Sequence, residues 1–416
     1  MLASAAPDGM VAPGPKIILS GTYSSFNKGD AAMQLSAAEE LRRRSAQVTI
    51  LAPFADADAG FYRQVTVVQC DRRRIPRETA RLLATQLMSA DARRKLSPAY
   101  ATTGNADLLV DLSGDMLTED YGPHVAFSHY LPMLRAISLG RPYMICAQSI
   151  GPFSLTRPLA RFVLNRARAI TVRDRISFDY LAEIGVRNER LQQTADLAFL
   201  LEKAPASASA ERIARLGLDP GKPFVGVSVS RLVADKYDAR LGQPGAFVRM
   251  MAASLAGIAR REQLQLLFTP HVTGPTLPKD DRIISREVAD LLPPGVEWAV
   301  IGEDLGPKEI KGMIALATMC VGTRMHANIA ALSSFVPVLA IAYSHKTPGI
   351  MEACGVGDLA VDFHRLSEER LNALLDDLHD RRTAIRDVLM RSIPEQQRLA
   401  ATNIDMIMEL AEGHGA

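Results

Sequence analysis

From Lys16 onward, short apolar runs alternate with longer amphipathic stretches. Runs at residues 16–20, 48–51, 65–70, 107–112, 142–147 and 169–172 read as strands, and stretches at 31–44, 77–96 and 126–138 carry helical periodicity. Strands alternating with helices predict a parallel sheet covered on both faces. The pattern breaks over residues 202–222, where Ala-Pro-Ala-Ser-Ala-Ser-Ala and Asp219-Pro220-Gly221-Lys222-Pro223 enclose one short helix. A second series then begins. Its strands are expected at 224–229, 264–268, 298–301, 319–322 and 336–341, and its helices at 246–261, 280–292, 307–316 and 326–332. After Asp362 the chain reads as helical to the end, through 368–385 and 394–410.

The expected fold is therefore α/β, with two Rossmann-like parallel-sheet domains, a ligand cleft between them and C-terminal helices: the GT-B arrangement. The boundaries are 14–202 for the first domain (acceptor side), 203–222 for a linker, 223–365 for the second domain (donor side) and 366–416 for the final helices. Sheets of this kind bind ligands beyond the carboxyl ends of their strands, here between the domains.

Composition narrows this picture mostly by exclusion. The chain has 416 residues, 48% apolar and 23% charged, enough for two ordinary cores. Its 48 basic and 46 acidic side chains leave a formal charge of +2, too even to argue for nucleic acid. Basic clusters at 42–44, 72–74 and 157–168 read as solvated helix faces. Cys70, Cys146, Cys320 and Cys354 are far apart and three lie in or beside strand-like runs, which predicts small apolar side chains and neither a metal site nor a disulfide framework. The first fifteen residues lack the basic segment and apolar core of a secretory signal, and no apolar run approaches the ~20 residues of a membrane span. The cytosol is the expected compartment.

Candidate chemistry lies where strands end. In Gly322-Thr323-Arg324-Met325-His326-Ala327-Asn328, a strand stops and arginine and histidine open a helix; Lys346 follows the next strand in Tyr343-Ser344-His345-Lys346. A helix start presents free N–H groups and partial positive charge to an anion. Arginine adds a fork, lysine a point charge and histidine a proton near neutrality. Each of these residues alone reads as readily as an ion pair or a structural histidine; together they point to a site. After the first strand, Asn27-Lys28-Gly29-Asp30 lacks the glycines of a dinucleotide fingerprint and the ending of a P-loop. Asp30 reads either as a helix cap or, with Asn27, as a ligand for sugar hydroxyls. Ser113-Gly114-Asp115 and Gln148-Ser149-Ile150-Gly151-Pro152 are further strand-end loops. In Val172-Arg173-Asp174, a capping Asp174 would leave Arg173 aimed at the cleft.

Taken in order, these stretches resemble the polysaccharide pyruvyltransferase family. The resemblance runs from about Lys16 to about Gly355 through Asn27-Lys28-Gly29-Asp30, Gly114-Asp115, Gln148 to Pro152, Arg173-Asp174 with Ser177, Asp196-Leu197-Ala198-Phe199 and Gly322 to Ala327, with Pro337 and Lys346. Ser113 stands where the family often has glycine, which weakens the placement of Asp115. The resemblance implies phosphoenolpyruvate as donor, a sugar with two placed hydroxyls on a polysaccharide or lipid-linked glycan as acceptor, and a pyruvate ketal plus phosphate as products. No cofactor and no metal are expected, and a lipid-linked acceptor would bring peripheral contact with the inner membrane face.

The residues fit that chemistry. His326, Arg173 and Lys346 are the expected catalytic groups, with His326 as acid. Arg324, Arg231 and Lys346 are expected at the donor, and Asn27, Asp30 and Asp115 at the acceptor, Asp30 or Asp115 serving as base. Two alternatives share the fold: a GT-B glycosyltransferase using a nucleotide sugar, and a non-catalytic sugar-binding protein. Against the first stands the lack of an evident acidic pair for a donor ribose and sugar in the second half; against the second, the complete set of Arg173, Arg324, His326 and Lys346.

Overall fold

The computed structural model describes residues 14–71, 74–343 and 346–413. Arg72, Arg73, Ser344 and His345, part of the stretches named above, lie outside the described residues, as do residues 1–13. The first seven strands are β1 (Lys16–Ser20), β2 (Gln47–Ala52), β3 (Thr66–Gln69), β4 (Leu108–Asp111), β5 (Tyr143–Gln148), β6 (Ala169–Val172) and β7 (Leu191–Gln193). They form one parallel sheet in the order β3-β2-β1-β4-β5-β6-β7. A second parallel sheet contains β8 (Phe224–Ser228), β9 (Gln265–Phe268), β10 (Trp298–Val300), β11 (Met319–Gly322), β12 (Val338–Ala342) and β13 (Ala360–Asp362), in the order β10-β9-β8-β11-β12-β13.

Both orders reverse direction beside their first strand. The crossovers therefore diverge at β1/β4 and at β8/β11, and each divergence opens a crevice at the carboxyl ends of the strands. These central strands are buried on both faces, as a parallel sheet under two helical layers requires. Two parallel-sheet α/β units with C-terminal helices make a GT-B-like fold.

The crevices are stitched together by backbone. Asn27 bridges Val272 across the sheets; the Lys28 amide donates to the His271 carbonyl at 2.8 Å and the Thr273 amide to the Phe26 carbonyl at 2.9 Å. The loop after β1 and the loop after β9 thus share a wall.

The short strands β7 and β13 and the helix Arg231–Leu241 carry too little apolar pattern to be read from sequence. The stretch 77–96, read as one helix, is two, Ile75–Thr85 and Ala90–Arg94, because Ser89 caps the second by accepting from the Ala92 amide. Residues 203–222 are not a free linker. Within them the helix Ala206–Arg215 buries Ile213 against Phe224, Leu267, Ala299, Ile301 and Met313 of the second unit, while the turn at 219–223 is exposed throughout.

The final helices also differ from expectation. Arg382–Glu412 runs unbroken through Pro394, although an interior proline costs about 3 kcal/mol. Leu389, Ile393, Ala400, Ile404 and Ile407 are all completely buried along it, and that apolar stripe outweighs the proline. The helix returns to the first sheet: Asn403 Oδ1 accepts from Thr171 at 2.7 Å and Thr194 at 2.9 Å, and its Nδ2 donates to the Ala195 carbonyl at 3.0 Å. The buried amide is satisfied on both sides, next to Asp196. No helix among the described residues is long and apolar enough to cross a membrane. The four cysteines are buried free thiols.

Candidate active site

A pocket lies between the two sheets. Its walls come from five strand ends. The β1 loop and the helix Lys28–Arg43 supply Asn27, Gly29, Asp30 and Met33; β4 supplies Gly114 and Asp115; β9 supplies His271; β11 supplies Arg324, Met325 and His326; β12 supplies Tyr343, Lys346 and Thr347.

Local chemistry explains each placement. Asn27 is the N-cap of its helix, accepting from the Gly29 amide at 3.0 Å, so Asp30 is not the cap. Asp30 instead accepts from the Tyr23 amide at 2.8 Å, which folds the β1 loop over the helix start. Gly114 takes a left-handed φ of 67°, the one position in that turn that demands glycine, while Ser113 has none of that strain and bonds His129 at 2.9 Å. Serine at 113 therefore leaves Asp115 in the pocket.

The cations arrive already paired. Arg324 donates through Nε and Nη2 to the two carboxylate oxygens of Asp281 at 2.9 and 2.7 Å, leaving Nη1 outside the pair. Burial raises the pKa of the Asp281 carboxyl; the opposing pull of Arg324 and the Val272 amide accompanies a bidentate ion pair. Lys346 donates to the Asp115 carbonyl at 3.1 Å and lies 3.3 Å from its carboxylate, to which Tyr121 also donates at 3.0 Å. Burial works against the Asp115 charge, but Lys346 and Arg173 outweigh it and hold the carboxyl below its usual range. These carboxylates fix the cations in place and moderate the net charge seen by an incoming anion.

His326 faces two ways. Its Nδ1 lies against Gly29, and its Nε2 stands 3.5 Å from the Asp196 carboxylate. Asp196 is fully buried, and burial disfavours its charge. Arg173, His326 and the Ala198 amide reverse that and hold the carboxyl far below its usual range. Arg173 is correspondingly not aimed at the cleft. Its side chain is completely buried, donating from Nε to Ser149 at 3.0 Å and from Nη1 to Asp196 at 2.5 Å. Asp174 does cap its helix, through the Ser177 amide at 2.7 Å. Arg173 thus sits behind His326, paired to the Asp196 carboxylate that stands 3.5 Å from the imidazole Nε2, a contact that favours the ring when it is protonated. Arg231 is also elsewhere: it opens the helix Arg231–Leu241, pairs with Glu287 and is not among the residues lining this pocket.

Sequence reasoning missed Asp281, Asp196 as a partner, and His271. The last was within reach of the rule that found the others, because Thr269-Pro270-His271 directly follows β9. Among the described residues, no group of three or more His, Cys, Asp or Glu side chains is arranged to hold a metal ion.

A model of the polysaccharide pyruvyl transferase family matches residues 27–345, which hold every residue lining this pocket except Lys346 and Thr347. The chain belongs to that family. Membership supports a role in pyruvyl transfer for polysaccharide synthesis. Among curated proteins, the family member is similar to the amylovoran biosynthesis protein AmsJ of Erwinia amylovora. The two are 22% identical over 94% of this chain and 98% of AmsJ.

Solved structures show the fold alone. The UDP-GlcNAc 2-epimerase of Neisseria meningitidis, bound to UDP-GlcNAc, aligns with a TM-score of 0.58 at 9% identity over 95% of this chain and 100% of its own. Anabaena HepE in complex with UDP-glucose aligns with a TM-score of 0.56 at 16% identity over 96% of this chain and 98% of its own.

Proposed function

We propose that this pyruvyl transferase takes its pyruvyl group from phosphoenolpyruvate and places it as a ketal on two hydroxyls of a polysaccharide or lipid-linked sugar, releasing phosphate. The supporting observation is the meeting of Arg324, Lys346 and His326 from the second unit with Asn27, Asp30 and Asp115 from the first in one pocket. Phosphoenolpyruvate is small and densely anionic. Arg324 and Lys346 are placed to bind its phosphate and carboxylate, and the acidic and amide side chains opposite suit sugar hydroxyls.

The chemistry needs one proton given and two removed. His326 protonates the methylene carbon, using the π electrons of the enol, and C2 becomes an oxocarbenium-like centre. One sugar oxygen bonds to C2 as its proton leaves. The second sugar oxygen then bonds to C2 while the C2–O bond to phosphate breaks, and phosphate departs with the remaining proton. Arg173 and Asp196 act through His326 as positioning residues.

Thermal denaturation tests the donor. A ligand that binds only the folded state stabilises it by RT ln(1 + [L]/Kd), so millimolar phosphoenolpyruvate should raise Tm where UDP-glucose does not. A shift with UDP-glucose and none with phosphoenolpyruvate would overturn the reading in favour of nucleotide-sugar chemistry.

A further inference from the structure

His271 lines the pocket and takes no part in the scheme above. It follows β9, and its carbonyl is held by the Lys28 amide at 2.8 Å, so the backbone carrying it is fixed to the opposite unit. The ring is almost fully buried. Its Nδ1 lies 2.9 Å from the Thr269 carbonyl, a group that only accepts, so Nδ1 carries the hydrogen. In the neutral ring Nε2 then bears a lone pair, and no hydrogen bond within the described residues engages it.

This atom differs from the two cations in the donor half of the pocket. Arg324 and Lys346 present N–H groups, which suit phosphate and carboxylate oxygens. A bare Nε2 repels those oxygens and suits a group that donates. The component of the proposed reaction that donates is a hydroxyl. We infer that His271 Nε2 receives the attacking hydroxyl of the acceptor sugar and removes its proton as the oxygen bonds to C2 of the donor.

This assignment rests on the proposed pyruvyl transfer. It gives the base role to a histidine, where sequence reasoning had named Asp30 or Asp115, both already engaged by hydrogen bonds. The proton count also balances within the site. As the O–H bond breaks toward His271, His326 delivers its proton to the methylene carbon, so one imidazole gains the charge that the other loses. Around His271 stand Lys28 on the helix Lys28–Arg43, Asp281 on the helix Asp281–Ala289, and Arg324 with His326 at the start of the helix Met325–Leu332. Burial, with the three basic neighbours, keeps the ring neutral and its Nε2 open at neutral pH.

Two variants separate the roles. In His271→Asn the amide nitrogen replaces Nδ1 and keeps the bond to Thr269, while Nε2 is lost. In His271→Gln the amide reaches toward the Nε2 position but takes no proton. Both should bind phosphoenolpyruvate within about twofold of wild type by calorimetry. Both should release phosphate from phosphoenolpyruvate about 10²–10⁴-fold more slowly with p-nitrophenyl galacto-, gluco- and mannopyranosides as acceptors. Turnover near wild type removes His271 from the base role. A tenfold loss of donor affinity makes it a donor ligand and equally overturns the inference. Long-range ¹H–¹⁵N spectra, assigned against His271→Asn, should show a neutral ring with hydrogen on Nδ1 at pH 6. A charged ring, or hydrogen on Nε2, overturns the inference whether or not phosphoenolpyruvate is the donor; failure of the wild type to bind phosphoenolpyruvate rejects the proposed function instead.

Discussion

A methyl group on Gly29 would lie 2.1 Å from Nδ1 of His326. Gly29 sits in the first turn of a helix with an ordinary backbone, where alanine normally gains about 0.5–1 kcal/mol over glycine. The glycine is there because the imidazole occupies the space. Gly29→Ala should therefore displace His326 and lower kcat at least tenfold, while donor affinity changes little. A variant that is more stable than wild type and fully active would show that the ring has room to move without cost to the reaction.

The paired cations predict binding losses. Arg324→Ala and Lys346→Ala should each weaken phosphoenolpyruvate binding by about one to two decades, since a charge-assisted contact is worth about 1.5–3 kcal/mol. Turnover should fall as well, because the donor is anionic throughout. Calorimetry with donor alone checks this. Unchanged affinity in both variants would mean that the anion binds elsewhere.

His326 and Asp196 should behave as a unit of a different kind. His326→Gln keeps a hydrogen-bond donor but delivers no proton, so kcat should fall about 10²–10⁴-fold with donor affinity nearly intact. Asp196→Asn should lower kcat in the same sense, because the amide no longer holds the ring or supports its charge. The double variant should cost little more than His326→Gln alone. Full additivity would separate Asp196 from the proton transfer.

His271 predicts a pH dependence of stability. Burial is the main cause that lowers its pKa from 6.5 to about 4, against the pull of the Thr269 carbonyl. Between those values the unfolded chain binds a proton that the folded protein refuses, so stability falls as pH drops through this window, by about 3 kcal/mol in all. Asp115 and Asp196, whose carboxyls are held low, lose their contribution only as pH falls further, and Asp281, held high, acts in the opposite sense. Those three are common to wild type and His271→Asn. Urea midpoints at pH 7, 6 and 5 should decline less in the variant, and parallel declines would sink the assignment.

The alternation of apolar runs determined the strands of both sheets except the short edge strands β7 and β13, since a buried parallel strand must be continuously apolar and its crossover helix amphipathic. Arg324, His326, Lys346, Asn27, Asp30 and Asp115 were legible by position, because strand ends in such a sheet face one way. Side-chain partners were not. Arg173 looked exposed to the cleft and is buried on Asp196; Arg231 has the same strand-end address and leaves for Glu287. A strand-end position fixes where a backbone stops, but the nearest carboxylate in space decides where a guanidinium points. The helix Ala206–Arg215 and the unbroken passage through Pro394 were likewise settled by apolar contacts distant in sequence. Which imidazole nitrogen carries the hydrogen in His271 depends on the Thr269 carbonyl that the folded loop turns toward it.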